Sequence, residues 1–239
     1  MKNVHYLLLC ALFMVSCNQE KKNEDGTKTD NELTVESSEL KTALNKMKKY
    51  SNEDFYVNGK LSPEKTLNAY KEMMAFYDYP VDPWLLDHMF ITDFGLGDFV
   101  NVGMAGVFWI NDAKGGYFGH EIFLLPGQMI AEHSHLKTEH PAKMESWQVR
   151  HGMTYNFGIA GNTAGMPPLP ESQNGHIKSD KYVITNRGGL SSLAEAESPH
   201  FMLAGTQGTI VTEYANYHDG AGLRFTNPDI EFTDILGNN

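Results

Sequence analysis

The sequence predicts a mainly β domain, an antiparallel barrel or sandwich, preceded by α-helices. Three observations support this fold class. From residue 90 onward, runs of Val, Ile, Phe and Trp are interrupted by turns rich in glycine and aspartate, as expected of short strands. These runs follow one another closely, with no helical segment between them. The chain has 239 residues, 41% of them hydrophobic and 11% aromatic, which is enough for one substantial core and an appendage.

The N-terminal end of the chain is predicted to lie outside that core. Lys2 and His5 precede the apolar run LLLCALFMV, and Ser16 and Cys17 follow it. This order is typical of a secretory signal peptide, here residues 1–16. A cysteine in this place resembles the lipobox of bacterial lipoproteins. The resemblance implies that Cys17 carries lipid and that the protein lies in the cell envelope, on the periplasmic or surface face of the outer membrane.

Two other interpretations of this start remain open, a plain signal peptide and a short membrane anchor. The apolar run is shorter than the roughly 20 residues that cross a bilayer, which favours the lipoprotein signal. Residues 17–36 are polar and charged, with almost no large apolar side chains, and so predict a flexible tether. Contact with the membrane is therefore expected through the lipid anchor only.

Charge and cysteine content exclude two classes of function. The formal net charge is −11, whereas nucleic-acid binding requires a basic surface. The chain has two cysteines, of which Cys10 leaves with the signal peptide and Cys17 carries the lipid. The mature chain therefore has no thiol for a disulfide or for catalysis.

Residues 37–89 are predicted to form a helical extension packed on the outside of the barrel. Ser37 and Ser38 precede ELKTALNKMKKY, whose apolar residues have helical spacing. A second helix is expected from Ser62-Pro63-Glu64, which offers a capping hydroxyl, a proline at the first helical position and an acid in the first turn. Its apolar stripe predicts a docking face and consists of Leu67, Tyr70, Met73, Met74 and Tyr77.

Residues 90–239 are predicted to form the barrel domain. The segment 162–180 is rich in Pro, Gly and polar residues and predicts a loop. The predicted strands lie within residues 90–112, 116–125, 133–135, 153–161, 181–186, 208–214 and 224–232.

One stretch, residues 124–152, combines two histidines and a carboxylate in a pattern that suits a metal. His133 and His135 are two residues apart, so both point to the same face of a strand. A carboxylate on the next strand of a hairpin would complete one side of the site, and imidazole with carboxylate suits Mn, Fe or Zn. We favour Glu145 over Glu139 because Gly152 follows Glu145 at the expected spacing. Residues 136–143 are then an enlarged hairpin loop.

The G-x5-H-x-H … E-x6-G spacing that begins at Gly127 resembles the first metal-binding motif of the cupins, which are double-stranded β-helix proteins. Here the glutamate lies farther from the second histidine than is usual in cupins. The resemblance places a second motif at SPHFMLAG, with His200 as the fourth ligand after a proline-containing turn. A lone histidine beside aromatic residues is otherwise a structural residue, so His200 depends on the pair at His133 and His135.

The other histidines are weaker candidates. His140 is the main rival ligand, and His151 is expected to lie around the site. His120 begins the strand that leads into the PGQ turn, so it is expected to face the cavity. His88, His176 and His218 have no partner visible in the sequence and are expected at surface or core positions.

Several blocks together resemble a narrower group, the D-lyxose isomerase family of sugar-isomerase cupins. The blocks are ITDFGLGDF at 91–99, LPGQ at 125–128, EHSH at 132–135, KMESWQVRHG at 143–152, SPHFMLAGTQGTIVTEYA at 198–215 and FTNPDI at 225–230. The resemblance implies a divalent metal, usually manganese with Fe, Co or Zn as alternatives, and aldose–ketose interconversion of D-lyxose and D-xylulose or a related small-molecule sugar. A homodimer is a candidate assembly. It implies the metal ligands His133, His135, Glu145 and His200.

The acid/base group is less well defined. Part of the family has a lysine on the strand before the PGQ turn, where this chain has Gly119-His120-Glu121. Three candidates take its place. His120 has an ordinary pKa near neutrality, and Lys143 stands beside Glu145. Glu213 would be a carboxylate base if it points inward, and an ordinary outward residue otherwise.

Two further functions fit the same residues. One is a non-catalytic sugar-binding lipoprotein that keeps the metal site, since sugar isomerisation outside the cytoplasm is unusual. The other is a different cupin metalloenzyme such as an oxygenase, because three histidines and a glutamate also suit redox-active Mn or Fe.

Overall fold

The computed structural model describes residues 46–232. The predicted signal peptide, the predicted lipidation site Cys17 and the predicted tether lie outside these residues. Within them, none of the helices is long and apolar enough to cross a membrane.

The first predicted helix is wrong where it can be compared. Residues 46–50 are not helical, and the rest of the predicted helix lies outside the described residues. Met47 is buried, and its backbone N–H donates to Oε1 of Gln207, 2.8 Å away. Gln207 is remote in sequence, so local helical spacing could not reveal this bond. A 3-10 turn at Asn52–Asp54 and the small hairpin of β1 (Tyr56–Val57) and β2 (Lys60–Leu61) follow.

The second predicted helix is confirmed as α1 (Pro63–Phe76), with Ser62 as its N-cap. Its Met and Tyr side chains at 70, 73 and 74 are fully buried in a core between the helix and the outer side of the sheet. A short helix α2 (Pro83–His88) follows. The hydroxyl of Tyr70 donates to Gln128 Oε1, 2.7 Å away, and Gln128 Nε2 donates to the carbonyl of Phe99. The helix therefore holds the PGQ turn that leads into the His-x-His strand.

Antiparallel strands account for most of the rest, which confirms the mainly β prediction. The large sheet has the order β3-β4-β5-β10-β7-β8, and β9 also pairs with β7. The strands of this sheet are β3 (Phe90–Thr92), β4 (Met104–Asp112), β5 (Tyr117–Leu124), β7 (Glu145–Gly158), β8 (Lys181–Asn186), β9 (Leu190–Ser192) and β10 (Phe201–Ala215).

The strand predicted from residue 153 starts earlier, because β7 runs from Glu145 through Gly152 to Gly158. Gly152 has φ +74° and pairs with Thr209 next to an irregularity in the β7–β10 register. A Cβ at Gly152 would lie 2.1 Å from the carbonyl oxygen of Gly208. The glycine is required by the close approach of two strands at a bulge, not by a reversal of the chain.

The predicted hairpin that joins the two histidines to Glu145 is also wrong. β6 (His133–His135) pairs with β11 (Leu223–Phe225) in a separate two-stranded sheet, and β7 pairs with β10. A backbone bridge connects His133 to His200, so the small sheet is continued by the residue before β10. The site therefore lies where the two sheets meet.

A test of the Gly152 interpretation compares Gly152→Ala with Gly175→Ala. Both glycines have positive φ, but an added Cβ at Gly175 meets nothing within 4 Å. Gly175→Ala should cost only the backbone strain, about 1 kcal/mol, whereas Gly152→Ala should cost at least about 1 kcal/mol more because the strands must also separate. Urea denaturation of both variants measures the difference, and equal losses would contradict the close-approach argument.

Candidate metal centre

Four side chains meet at the junction of the two sheets. His133 and His135 project from the same face of β6, Glu145 is the first residue of β7, and His200 directly precedes β10. One ligand atom from each lies within 4.8 Å of the others. The backbone N–H groups of His133 and His200 donate to each other's carbonyls at 3.0 and 2.9 Å, which holds two of the imidazoles side by side. We call these four residues the quartet.

Backbone carbonyls orient two of the imidazoles. His133 Nδ1 lies 2.9 Å from the carbonyl oxygen of Ala131, and His200 Nδ1 lies 2.9 Å from that of Ser198. A carbonyl can only accept, so Nδ1 carries a proton in each ring, and in the neutral ring Nε2 presents a lone pair. This arrangement is the one that metal-binding histidines adopt.

The Nε2 atoms of His135 and His200 both face the carboxylate of Glu145. His200 Nε2 lies 2.8 Å from one oxygen of Glu145, and His135 Nε2 lies 3.2 Å from the other. Among the described residues, neither nitrogen has a partner with hydrogen-bond geometry. Buried acceptors that face one another are costly unless a cation lies between them. Three imidazoles and one carboxylate fit a divalent ion such as Mn, Fe, Co or Zn.

A second group of buried side chains adjoins Glu145. Lys143 Nζ donates to Glu145 Oε1 at 2.6 Å and also to Glu213 Oε1. His120 Nδ1 lies 3.1 Å from the other oxygen of Glu213. Glu213 therefore points inward, and the three acid/base candidates form one connected chain, His120–Glu213–Lys143–Glu145.

Lys143 reaches this place because its backbone is clamped. The side-chain oxygen of Asn216 accepts from the N–H of Met144 at 2.5 Å, and its amide donates to the carbonyl of Ala142 at 3.2 Å. The end of the predicted loop of residues 136–143 is therefore held in place, and Lys143 extends its ammonium group into the site.

Burial and charge oppose each other at these groups. Burial alone would raise the pKa of Glu145, but Lys143 with His135 and His200 holds that pKa well below its usual range. Burial alone would lower the pKa of Lys143, but Glu145 and Glu213 raise it instead. Lys143 is therefore charged, and it is shared between two carboxyl groups.

His120 contacts the oxygen of Glu213 that Lys143 does not. Burial lowers its pKa, so the ring is neutral and donates its Nδ1–H to the Glu213 carboxylate. Its Nε2 lies against Gly106, where an added Cβ would be only 2.2 Å away, and the ring packs on Phe108 at 4.7 Å. The structure thus places His120 in the wall of the cavity, in a position that orients Glu213.

His218 is a cavity residue that the sequence did not reveal. Its ring lies 5.1 Å from that of His135, and its Nδ1 has no partner among the described residues. Burial holds its pKa well below the usual range. Asn111 fixes its backbone through two hydrogen bonds of 3.0 Å, one to the N–H and one to the carbonyl. This clamp comes from a distant strand, so no local pattern marks His218.

The rival histidines lie elsewhere. His140 packs against Tyr217 at 4.7 Å and is not part of the quartet, so its role as rival ligand is not supported. His151, expected around the site, instead packs against Tyr77 at 5.0 Å on the helix side of the sheet. His88 is exposed and stacks on Trp84.

The quartet opens into a cavity of about 740 Å³, part of it open to solvent. Its polar residues are the quartet, His120, Lys143, Glu213, Asn156 and His218. Its walls are otherwise aromatic or aliphatic and include Phe90, Phe94, Phe108, Phe118, Phe225 and Phe232. A small organic molecule with oxygen groups at one end fits this distribution.

The fold is of the cupin type, and the quartet is a candidate metal site. Solved structures with the same fold include an L-ribose isomerase variant from Acinetobacter sp. DL28 in complex with L-ribose (TM-score 0.53, 14% identity, 70% of this chain and 92% of that one). The L-ribose isomerase of Cellulomonas parahominis is also similar (TM-score 0.51, 16% identity, 68% and 90%). These likenesses confirm the cupin fold.

Sequence comparison finds curated sugar isomerases. The D-lyxose/D-mannose isomerase of Thermosediminibacter oceani is 27% identical over 169 residues, which is 70% of this chain and 90% of the relative. The D-lyxose ketol-isomerase of Cohnella laeviribosi is 26% identical over 170 residues, 69% and 90% of the two chains. No protein-family model matches the chain. The resemblance to the D-lyxose isomerase family is confirmed.

The charge balance predicts a pH-dependent effect of Lys143→Met. Without the ammonium group, two buried carboxyl groups lose their cation, which should cost about 3–5 kcal/mol of unfolding free energy at pH 7. In the parent chain, the depressed pKa of Glu145 contributes stability above the unfolded-state pKa, and this is lost as pH falls through the folded-state value. That contribution is present at both pH 7 and pH 5, since the folded-state pKa lies well below the usual range. Without Lys143, burial favours the protonated form of the carboxyl groups, so one of them can take up a proton at pH 5, and the loss caused by Lys143→Met should be smaller at pH 5 than at pH 7.

Urea denaturation of chelator-treated protein at both pH values measures this effect. The control is Lys137→Met, an exposed lysine of the same loop, which should change stability by less than about 0.5 kcal/mol. A loss from Lys143→Met that is the same at pH 7 and pH 5 would contradict the charge balance.

Proposed function

We propose that this protein is a metal-dependent aldose–ketose isomerase that acts on D-lyxose, D-mannose or a related sugar by enediol proton transfer. The observation that carries the proposal is the buried Glu213–Lys143 pair directly beside the quartet. The names of the similar curated proteins, D-lyxose/D-mannose isomerase and D-lyxose ketol-isomerase, support the reaction and the sugar.

The residues that would hold the metal are His133, His135, Glu145 and His200, with manganese as the proposed ion. A bound divalent ion would polarise the sugar's carbonyl and stabilise the negative charge that develops on its oxygens. The backbone pairing of His133 with His200 keeps two donors in place before any ion arrives.

Glu213 is the proposed base. Isomerisation removes a proton from the carbon next to the carbonyl and returns a proton to the neighbouring carbon. Each oxygen of Glu213 already accepts one hydrogen bond, from Lys143 or from His120, and keeps a second lone pair for a proton. These two donors fix the carboxylate over the substrate, and the ammonium group of Lys143 favours negative charge nearby.

His218 is suited to hold the sugar. It is fixed by Asn111, lies beside His135 and has a ring nitrogen without a partner among the described residues. A sugar hydroxyl would satisfy this nitrogen as donor or acceptor. The envelope location through Cys17 remains a prediction, since that cysteine lies outside the described residues.

The function is tested with metal-loaded, full-length protein incubated with D-lyxose, D-mannose and D-xylulose in deuterated water. Isomerisation should interconvert aldose and ketose and place solvent deuterium on the carbon that receives the proton, unless transfer is wholly internal. Saturable sugar binding without conversion would instead support a binding protein, and oxygen consumption would support an oxygenase.

The quartet predicts that His133→Ala combined with His135→Ala removes the metal. Elemental analysis should find about one ion per parent chain and almost none in the double variant, because two of four ligands are lost. His88→Ala, which removes an exposed histidine outside the quartet, is the control and should leave the metal content unchanged. An unchanged metal content in the double variant would show that the ligands are misassigned.

The base assignment predicts that Glu213→Gln lowers kcat by about 10²–10⁴ while metal content is kept. Glu121→Gln is the matched control, because Glu121 is also a buried glutamate on the partner strand but bonds Thr212 at 2.9 Å, outside the cavity. It should retain activity. Full activity in Glu213→Gln would exclude this glutamate as the base.

A further inference from the structure

Three phenylalanines form a cap on one side of the cavity. Phe94, Phe225 and Phe232 all line it, and their ring centroids lie 5.6, 5.7 and 5.5 Å apart. Phe225 also borders the quartet, with its ring 5.9 Å from that of His133. The cap is therefore in a position to touch anything bound at the quartet.

The backbone of the cap is strained at Phe94. This residue has φ +56°, a left-handed conformation that a bulky side chain rarely adopts. Its N–H donates to Thr92 Oγ1 at 2.9 Å, and its carbonyl accepts from the N–H of Glu231 at 3.0 Å. The second bond fastens the C-terminal segment that carries Phe232. Strain of this kind persists only where the surroundings impose it, and it is concentrated at ligand sites.

Among the described residues, the side chains of the cap offer no hydrogen bond. Met104 and Ile130, which belong to the same apolar cluster, and Leu223, which also lines the cavity, carry no donor or strong acceptor either. The proton-handling groups lie against Glu145 instead. A sugar whose C1–C2 end lies at Glu145 and Glu213 can direct its remaining carbons along the cap, which borders the quartet at His133.

A negatively charged group at the far end of the sugar is also disfavoured. Among the described residues that line the cavity, Lys143 is the one lysine or arginine, and two carboxyl groups already share it. A sugar phosphate would find no free cation there.

We infer that the substrate is an uncharged deoxy sugar, an aldose whose terminal carbon is a methyl group that packs on the phenylalanine cap. This inference rests on the proposed isomerase function and names its substrate class. A terminal hydroxyl in that place would lose its water and gain no partner, whereas a methyl group gains apolar contact. The expected discrimination is about 10- to 100-fold in kcat/KM.

The test compares sugars that differ only at the terminal carbon. Metal-loaded, full-length protein is assayed with D-mannose against 6-deoxy-D-mannose and with D-lyxose against 5-deoxy-D-lyxose, and calorimetry gives Kd for each sugar. The deoxy member of each pair should have the higher kcat/KM and the lower Kd. Equal values, or preference for the hydroxylated sugars, would overturn the inference while leaving the isomerase function standing.

The calorimetric data separate the remaining outcomes. Tighter binding of the deoxy sugars without conversion would support the inferred ligand class and overturn the isomerase function. Absence of both binding and conversion would overturn both.

A variant tests the cap directly. Phe225→Tyr adds one hydroxyl to the cap and should reduce the preference for the deoxy sugar by about tenfold, because the sugar's terminal hydroxyl gains a partner. Phe76→Tyr is the control, since Phe76 lies on α1 and packs in the other core. It should keep the parent preference. Metal content of both variants verifies folding, and an unchanged preference in folded Phe225→Tyr would show that the cap does not contact the substrate's end.

Discussion

The backbone pairing of His133 with His200 is the constraint on which the site depends. Two hydrogen bonds join residues from distant parts of the chain and make the end of the large sheet continuous with the small one. Because these bonds are part of the sheets, the backbone fixes where the two imidazoles lie. The carbonyls of Ala131 and Ser198, two residues before each histidine, then set the ring orientation. The same short segments therefore fix both the positions of the two imidazoles and the protonation of their Nδ1 atoms.

Two asparagine side chains position the functional groups that lie outside the strands. Lys143 and His218 both lie in connecting segments, and in each case an asparagine side chain bonds the adjacent backbone on both its donor and its acceptor side. Asn216 holds the residues around Lys143, and Asn111 holds His218. Such two-point contacts take the place of the backbone hydrogen bonds that a neighbouring strand would supply. They hold these loop residues in position.

The elements that sequence reasoning predicted well are those with local signals. The capped start of α1, the strand over residues 181–186 and the His-x-His pair each depend on spacing within a few residues. The errors have non-local causes. Met47 is not helical because its backbone N–H bonds Gln207. A glycine is required at position 152 because β10, which is remote in sequence, approaches closely there.

The quartet illustrates both what local sequence patterns can predict and what they cannot. Its four members meet as the cupin resemblance implied, yet the hairpin expected to join them does not exist, since β6 pairs with β11. The motif spacing identified residues that meet in space, but it predicted the wrong connection between them. His218 had no motif at all, because its place is set by Asn111 on a strand remote in sequence.

The polar interior has an energetic consequence for the whole domain. The unpartnered imidazole nitrogens that face Glu145 cost free energy of folding unless a proton or a metal cation lies between them and the carboxylate. The unfolded chain does not bring the four ligands together, so an ion would bind almost only the folded state. Binding then adds about 2.7 kcal/mol of stability at a free metal concentration 100 times Kd. The same ion that would serve the chemistry would therefore also hold the two sheets together at the His133–His200 junction, and loss of metal would weaken the fold first where the site lies.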